Sequence, residues 1–302
     1  MTEYYNKTEL FMEPKTKQYG NHMIMTNVHK PSKTKYISID TKFRDDYDYT
    51  QPANFQIVLP EKVNDVHTLR VTSIEIPMSF YNISANLGNN YFKVINGSNK
   101  EIIIIDDNNY TATSLANEIA MKLEISNYSN GISITFDSNN RTTITTNANI
   151  TLVFDVDKTG NSDKFNFKQK LGWLLGFRRT SYAVTTTDII QAECTLDMYG
   201  TRYLYLAIDE FSKGNQNSFV TPLSSSLINK NIIARITLDM TTYGYGATLP
   251  ATYYNGLLTT DTRSYTGKID LQKLNVQLLN ESGIPMMLNG HDFSFCLEAS
   301  CE

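Results

Sequence analysis

Charge is scarce in this sequence. Asp, Glu, Lys and Arg make up 19% of the 302 residues, and 27 basic against 31 acidic side chains leave a net charge of −4. No basic run exceeds a pair, so the electrostatic footprint of a nucleic-acid or anionic-membrane binder is missing. Apolar runs are short as well. None approaches the ~18 consecutive residues that span a bilayer, so no membrane span is expected. The opening of the chain mixes Glu, Lys, Asn and His without an apolar core, and no signal peptide is expected there.

The residues of site chemistry are equally thin. Cys194, Cys296 and Cys301 are an odd number at spacings that suit neither a disulfide framework nor a metal, which fits a reducing compartment. His22, His29, His67 and His291 are scattered, and no two lie at ligand spacing. His291-Asp292 looks like a dyad, but neighbours on a strand point to opposite faces. No G-x-S-x-G, Walker loop, H-E-x-x-H or C-x-x-C occurs. Strands can bring any two carboxylates together for glycoside hydrolysis, yet no pair is nominated. The expectation is a protein that is not an enzyme and takes no cofactor and no metal.

What is present favours strands. The chain has 19 Tyr and 14 Phe, with Thr, Ile and Asn recurring throughout, and β-branched and aromatic side chains suit a pleated, half-buried surface. At 41% apolar content the chain can bury a sizeable core. Sequons such as Asn82-Ile83-Ser84 and Asn96-Gly97-Ser98 arise readily in a composition of this kind and are read as unused.

Residues 1–34 are polar, carry Pro14 and Pro31, and read as an arm; their Tyr4, Tyr5, Phe11, Met12, Met23 and Met25 would suit docking on a neighbouring subunit. Period-two patterning begins at Tyr36–Asp40 and continues at Phe55–Leu59 and His67–Ile76, where Leu69, Val71, Ser73 and Glu75 oppose Arg70, Thr72, Ile74 and Ile76 and Pro77 is a stop. Tyr91–Ile95 and Glu101–Ile105 predict a hairpin around Asn96-Gly97. Leu115, Ile119 and Leu123 share one helical face, with Thr111 or Thr113 as N-cap. Strands at Ile132–Phe136, Thr142–Thr146 and Ile150–Phe154 follow. Residues 85–185 thus read as a β-α-β module closed by Leu171 to Arg178.

Further strands are expected at Ile189–Asp197, Arg202–Ile208, Ile232–Met240, Lys268–Leu279 and His291–Glu298, with long connections at Ser212–Ser226 and 241–267. Three strands before the module and five after it make eight, the number in a jelly roll. The predicted fold is mainly β: one jelly-roll sandwich in two parts, 35–84 and 186–302, with the small α+β domain 85–185 inserted between its third and fourth strands.

Several ordered motifs resemble one viral family. They are Tyr36-Ile37-Ser38-Ile39-Asp40 with Phe43-Arg44-Asp45, Pro52-Ala53-Asn54-Phe55, Ser73 to Tyr81, Leu171-Gly172-Trp173-Leu174-Leu175-Gly176-Phe177-Arg178, and Asn289-Gly290-His291-Asp292-Phe293-Ser294-Phe295. The chain in this respect is similar to the penton and minor capsid proteins of virophages and giant double-stranded DNA viruses, over roughly residues 36–298. The resemblance implies a virion structural protein assembled in the host cytoplasm. Its partners would be itself, as a pentamer at the icosahedral vertex, and a major capsid protein, with a host glycan or receptor as a further partner. The inserted domain would project outward. Alternatives are a minor (cement) protein beneath the major capsid layer and a carbohydrate-binding sandwich used for host attachment. A β-sandwich hydrolase has no motif in its favour.

Nine residues stand out as structural or interface candidates. Arg44 and Asp45 lie in a charged turn with Asp46 and Asp48; the spacing is not that of a calcium loop, and a solvated turn or an inter-subunit salt bridge from Arg44 is expected. Trp173 reads as a core or junction anchor rather than a sugar platform. Gly176 permits a turn or close backbone approach beside Phe177. Arg178 and Arg179 are expected to form a structural ion pair, with Asp188 and Glu193 close along the chain, rather than to bind phosphate. Tyr243, Tyr245 and Tyr253 mark the 241–267 connection as a contact surface.

Overall fold

A computed structural model describes residues 32–48, 50–126, 131–211 and 231–302. The arm through residue 31 and the connection Ser212–Ser226 lie outside the described residues. Alternating burial, in steps of two, builds an outer antiparallel sheet from β1 (Lys33–Asp40), β2 (Asn54–Pro77), β10 (Tyr203–Asp209), β11 (Ile232–Thr237), β12 (Thr248–Thr252), β13 (Leu258–Thr260), β14 (Arg263–Leu279) and β15 (Ser294–Cys301). Their order is β1-β15-β2-β14-β10-β11-β13, with β12 also on β2.

This sheet curls on itself through β2. The first half of β2 pairs with β14, from Asn54↔Gln277 to Val58↔Lys273. Its second half pairs with β15 on one side and β12 on the other. Between Val58 and Thr68 the β2–β14 register shifts three times, and Asp65 sits at φ 55. Such bulges bend a strand and carry it from one layer of a sandwich to the next. Pro60 falls where no β14 partner is formed, as its missing N–H requires. The two layers close over a core that includes Phe55, Leu69, Ile74, Leu206, Ile236, Leu274, Phe293 and Phe295. The result is a mainly β, curled antiparallel architecture, consistent with a jelly-roll sandwich.

Several strand readings are corrected. Residues 54–59 and 67–76 are one strand, because bulges rather than a turn absorb Pro60 and Asp65. Leu69, Val71, Ser73 and Glu75 do not share a face. Ser73 pairs with Cys296 and Val71 with Leu297, so Thr72 is an extra residue and burial switches from Leu69 and Val71 to Ile74 and Ile76. The connection 241–267 contains β12 and β13; Pro250 and the Gly-rich flanks had masked them.

Residues 83–198 build a second apolar cluster that shares no residue with the first. β3 (Tyr91–Asn96) and β4 (Asn99–Ile104) form the hairpin, with Gly97 at φ 61 in its turn. They join β7 (Ile150–Val153) and β8 (Ser181–Val184) in the order β4-β3-β7-β8. β5 (Ser133–Phe136), β6 (Arg141–Thr145) and β9 (Ile190–Thr195) make a three-stranded sheet. The stretch Ile189–Asp197, expected in the jelly roll, therefore pairs with β6, and Ala192 is buried in the second cluster.

Helix α1 (Ala112–Ile125) buries Leu115, Ile119 and Leu123. Thr111 is its N-cap: its hydroxyl accepts from Ser114 N–H at 3.2 Å, while Ser114 Oγ accepts from Thr111 N–H at 2.9 Å, a reciprocal capping box. Asn82 of the first sequon is buried and donates to Tyr110 O and Met198 O, so its amide is committed inside the fold.

Candidate interface site

The motifs of the sequence fall into three places. The first is a joint between the two ends of the described chain. β1 and β15 pair from Lys33↔Cys301 to Asp40↔Ser294, and Arg44 follows β1 after a short 3-10 turn, Thr41–Phe43. Arg44 Nη1 donates to Asp292 Oδ1 at 2.6 Å and to Thr41 O at 2.8 Å. Its Nε donates to Thr50 Oγ1, and Nη2 to the carbonyls of Tyr47 and Thr50. The Tyr47 ring lies 3.9 Å beneath the guanidinium.

Arg44 is thus buried and committed within its own chain, which corrects the expectation of a solvated turn or an inter-subunit bridge. Five donors in a planar fork suit this many acceptors, and no partner subunit is needed. Asp292 completes the joint by accepting from Thr41 Oγ1 and Tyr47 Oη. Asp45 is exposed and accepts from Val58 N–H at 3.3 Å.

The second place is the closing segment of the 83–198 region. Lys164–Gln169 form a 3-10 stretch, and α2 (Leu171–Leu174) is a single turn. Phe177 is fully buried, stacked on Phe154 at 5.1 Å and against Tyr182 at 4.8 Å. Gly176 has φ +93, and a Cβ there would run into the carbonyl oxygen of Cys194, so both its conformation and its contact require glycine. Trp173 is partly buried, with Phe167 edge-on at 5.7 Å and the Arg178 guanidinium 3.9 Å over its ring.

Arg178 also donates to Trp173 O and Phe177 O. Of the two arginines, Arg179 makes an ion pair: its Nε meets Glu193 Oε1 at 3.7 Å, while Asp188 accepts from Thr185. The negative π face of Trp173 attracts the Arg178 guanidinium, which leaves Arg179 to meet Glu193. Beneath this segment Lys170 is buried. Burial pulls its ammonium down, but Asp163 at 2.7 Å and the Tyr91 hydroxyl outweigh that and hold it above its ordinary value.

The third place is the 241–267 connection, whose candidate tyrosines lie at the two ends of β12. Tyr245 stacks on Tyr81 at 6.1 Å, and Tyr243 packs partly buried against the first core. Tyr253 and Tyr254 stand edge to face at 6.0 Å, both largely exposed. They border a cleft of about 440 Å³ together with Tyr36, Arg70, Asp261 and Glu298. A second cleft, about 580 Å³, lies beside Tyr81, Asp107, Lys158 and Met287.

The nine candidate residues are therefore not one site. Arg44 and Asp45, then Trp173 to Arg178, then the three tyrosines occupy separate parts of the fold. Sequence reasoning missed Arg70, Asp261 and Glu298 as companions of Tyr253 and Tyr254. The Tyr253-Tyr254 doublet was a signal, but cross-strand register was needed to find the rest.

Two solved structures are similar to this chain. A crystal structure of the selenomethionine-labelled mavirus penton protein aligns at a TM-score of 0.44 and 10% identity, covering 90% of this chain and 100% of that one. A chain of the Sputnik virophage, determined by cryo-EM at 3.5 Å resolution, aligns at a TM-score of 0.43 and 14% identity, covering 90% and 98%. No family model matches the sequence, and no curated protein matches it.

Proposed function

We propose that this chain is a capsid structural subunit without catalytic function, and within the capsid the penton protein at the five-fold vertices. One observation carries the reading. The motifs through which the sequence resembles that family are the joints of the fold: Tyr36–Asp45 and Asn289–Phe295 meet through β1–β15 and Arg44–Asp292, and Leu171–Arg178 seals the second core. Residues used in this way hold a scaffold, and a shell subunit is required for its shape and its edges. Self-association in a ring suits the exposed edge at Tyr245, which stacks on Tyr81, since a heterologous contact that closes gives cyclic symmetry.

In this reading the outer sheet is the shell-forming body and the 83–198 region is the inserted unit that projects from it. The insertion then ends just after β9, at residue 198, rather than at residue 185. The test is a reconstruction of virions carrying this protein at a resolution that traces side chains. The chain fitting density at the five-fold axis, one copy per wedge, is the expected result. Density beneath the major capsid layer instead would make it a cement protein, and absence from purified virions would overturn the capsid reading altogether.

A further inference from the structure

A gap in one β-ladder creates a site that the capsid reading does not use. On one side of β2 the last β12 pair is Thr252↔Ser73 and the first β14 pair is Arg263↔Leu69. Among the described residues, no strand pairs with Arg70, Val71 and Thr72 of β2 on that side. The chain fills the gap with two turns, one bearing Tyr253 and Tyr254, the other Asp261 between β13 and β14. The opening between them is the cleft of about 440 Å³, a size in the range of small-ligand pockets.

The floor of the cleft is a single row across three strands. Tyr36 pairs with Glu298, and Glu298 with Arg70, so all three project from the same face. Arg70 Nη2 donates to Glu298 Oε2 at 2.9 Å. That bond holds the guanidinium above its ordinary value, with smaller contributions from the Tyr254 and Tyr36 hydroxyls that face it. The walls are aromatic: Tyr36, Tyr253 and Tyr254 are exposed by 68%, 69% and 97%. Val71 and three threonines, with Asp261, line the remainder.

The chemistry of the lining selects among ligands. A cation entering the cleft meets Arg70, and an anion meets Glu298 and Asp261. A purely apolar ligand would strip water from three charged groups without replacing their hydrogen bonds. A neutral, polyhydroxylated ring avoids each of these penalties. Its C–H face packs on tyrosine rings, and its hydroxyls both donate to carboxylates and accept from the guanidinium.

We propose that this cleft binds a neutral saccharide, with Tyr253 and Tyr254 as the stacking walls and Arg70, Glu298 and Asp261 as the hydrogen-bonding groups. The site is formed by the outer sheet alone. Trp173, the other aromatic considered for sugar binding, is occupied on its ring face by Arg178. The proposal is independent of where the subunit sits in a shell.

The test uses the full chain on an array of neutral and acidic glycans. Each hit is then titrated as the free oligosaccharide against wild type, Tyr254→Ala and Asp261→Asn by calorimetry or NMR. Both positions are on the surface turns, and unchanged melting curves would show that the variants fold. The expected result is saturable binding of at least one neutral glycan, weakened about tenfold or more by Tyr254→Ala, as the loss of one stacking wall predicts. Hits confined to sialylated or sulfated glycans overturn the proposal. So does the absence of any hit, or neutral hits bound equally well by Tyr254→Ala. A change in oligomeric state on Tyr254→Ala without any glycan binding would assign the cleft to a second copy of the chain.

Discussion

Arg44 and Asp292 are separated by 248 residues and joined at 2.6 Å, with the arginine side chain 4% exposed and the aspartate 20%. The pair ties the turn after β1 to the loop before β15, and it is the point where the first and last motifs of the described chain meet. Removing one member of a buried pair leaves the other charge without compensation. Arg44→Ala is expected to cost about 3–5 kcal/mol in urea or thermal unfolding. Arg44→Lys recovers little of this, because an ammonium cannot reach Asp292, Thr41 O, Thr50 Oγ1 and the two carbonyls together. A near-neutral Arg44→Ala would show that the loop rearranges freely and is no joint.

Gly176 and Gly97 make a matched pair of left-handed glycines. Gly97, at φ +61, has nothing among the described residues within 4 Å of its Cβ position, whereas at Gly176 the Cys194 carbonyl oxygen occupies that space. Alanine at position 97 therefore carries only the conformational cost, about 1 kcal/mol. Alanine at 176 adds a displaced backbone under the Phe177–Phe154 stack, and is expected to cost more than about 2 kcal/mol. Chemical denaturation of the two variants side by side isolates the contact from the backbone term. Equal losses would place the whole effect in φ.

Much of the local structure was legible in the sequence, and the reasons are physical. The helix announced itself through Leu115, Ile119 and Leu123 at one-turn spacing, and the hairpin through Asn96-Gly97. The curl of the outer sheet was not legible at β2, because the residues that bend it, Pro60, Asp65 and Thr72, look in a one-dimensional pattern like a break or like ordinary alternation. A single bulged residue moves every later side chain to the other face, so Ser73 and Glu75 were assigned to the wrong side. The cleft is the same problem in three dimensions. Tyr36, Glu298 and Arg70 are brought together only by the register of β1, β15 and β2, which nothing in their local sequence encodes. Arg44 was visible as a charge in a turn, but its burial depends on Asp292, far away in the chain.

The N-terminus of α1 offers a cleaner energetic test. Thr111 and Ser114 satisfy each other's backbone N–H groups, and both lie on the surface, so substitutions there disturb little packing. Thr111→Ala is expected to cost about 1 kcal/mol, and Thr111→Asp to be close to neutral. Unfolding of the 83–198 region, followed through the Trp173 fluorescence, is the measurement. Indifference to Thr111→Ala would mean that packing of Leu115, Ile119 and Leu123 alone fixes the start of the helix.

Glu281 supplies the pH dependence. Burial raises its carboxyl above the ordinary 4.5, and nearby Asp197 adds to the rise, while the backbone N–H and guanidinium of Arg202 oppose it without cancelling it. A carboxyl whose folded pKa exceeds its unfolded one binds more protons in the folded state, so stability falls as pH rises through that interval. Below the unfolded value both states are protonated and the group contributes nothing to the difference between them. Glu281→Gln should therefore raise the melting temperature at pH 7 and leave it nearly unchanged near pH 4, with the gain appearing between the two. Melting curves of wild type and variant across that range test the sign directly. A variant less stable at neutral pH would mean that the Arg202 contacts outweigh the cost of burying the charge.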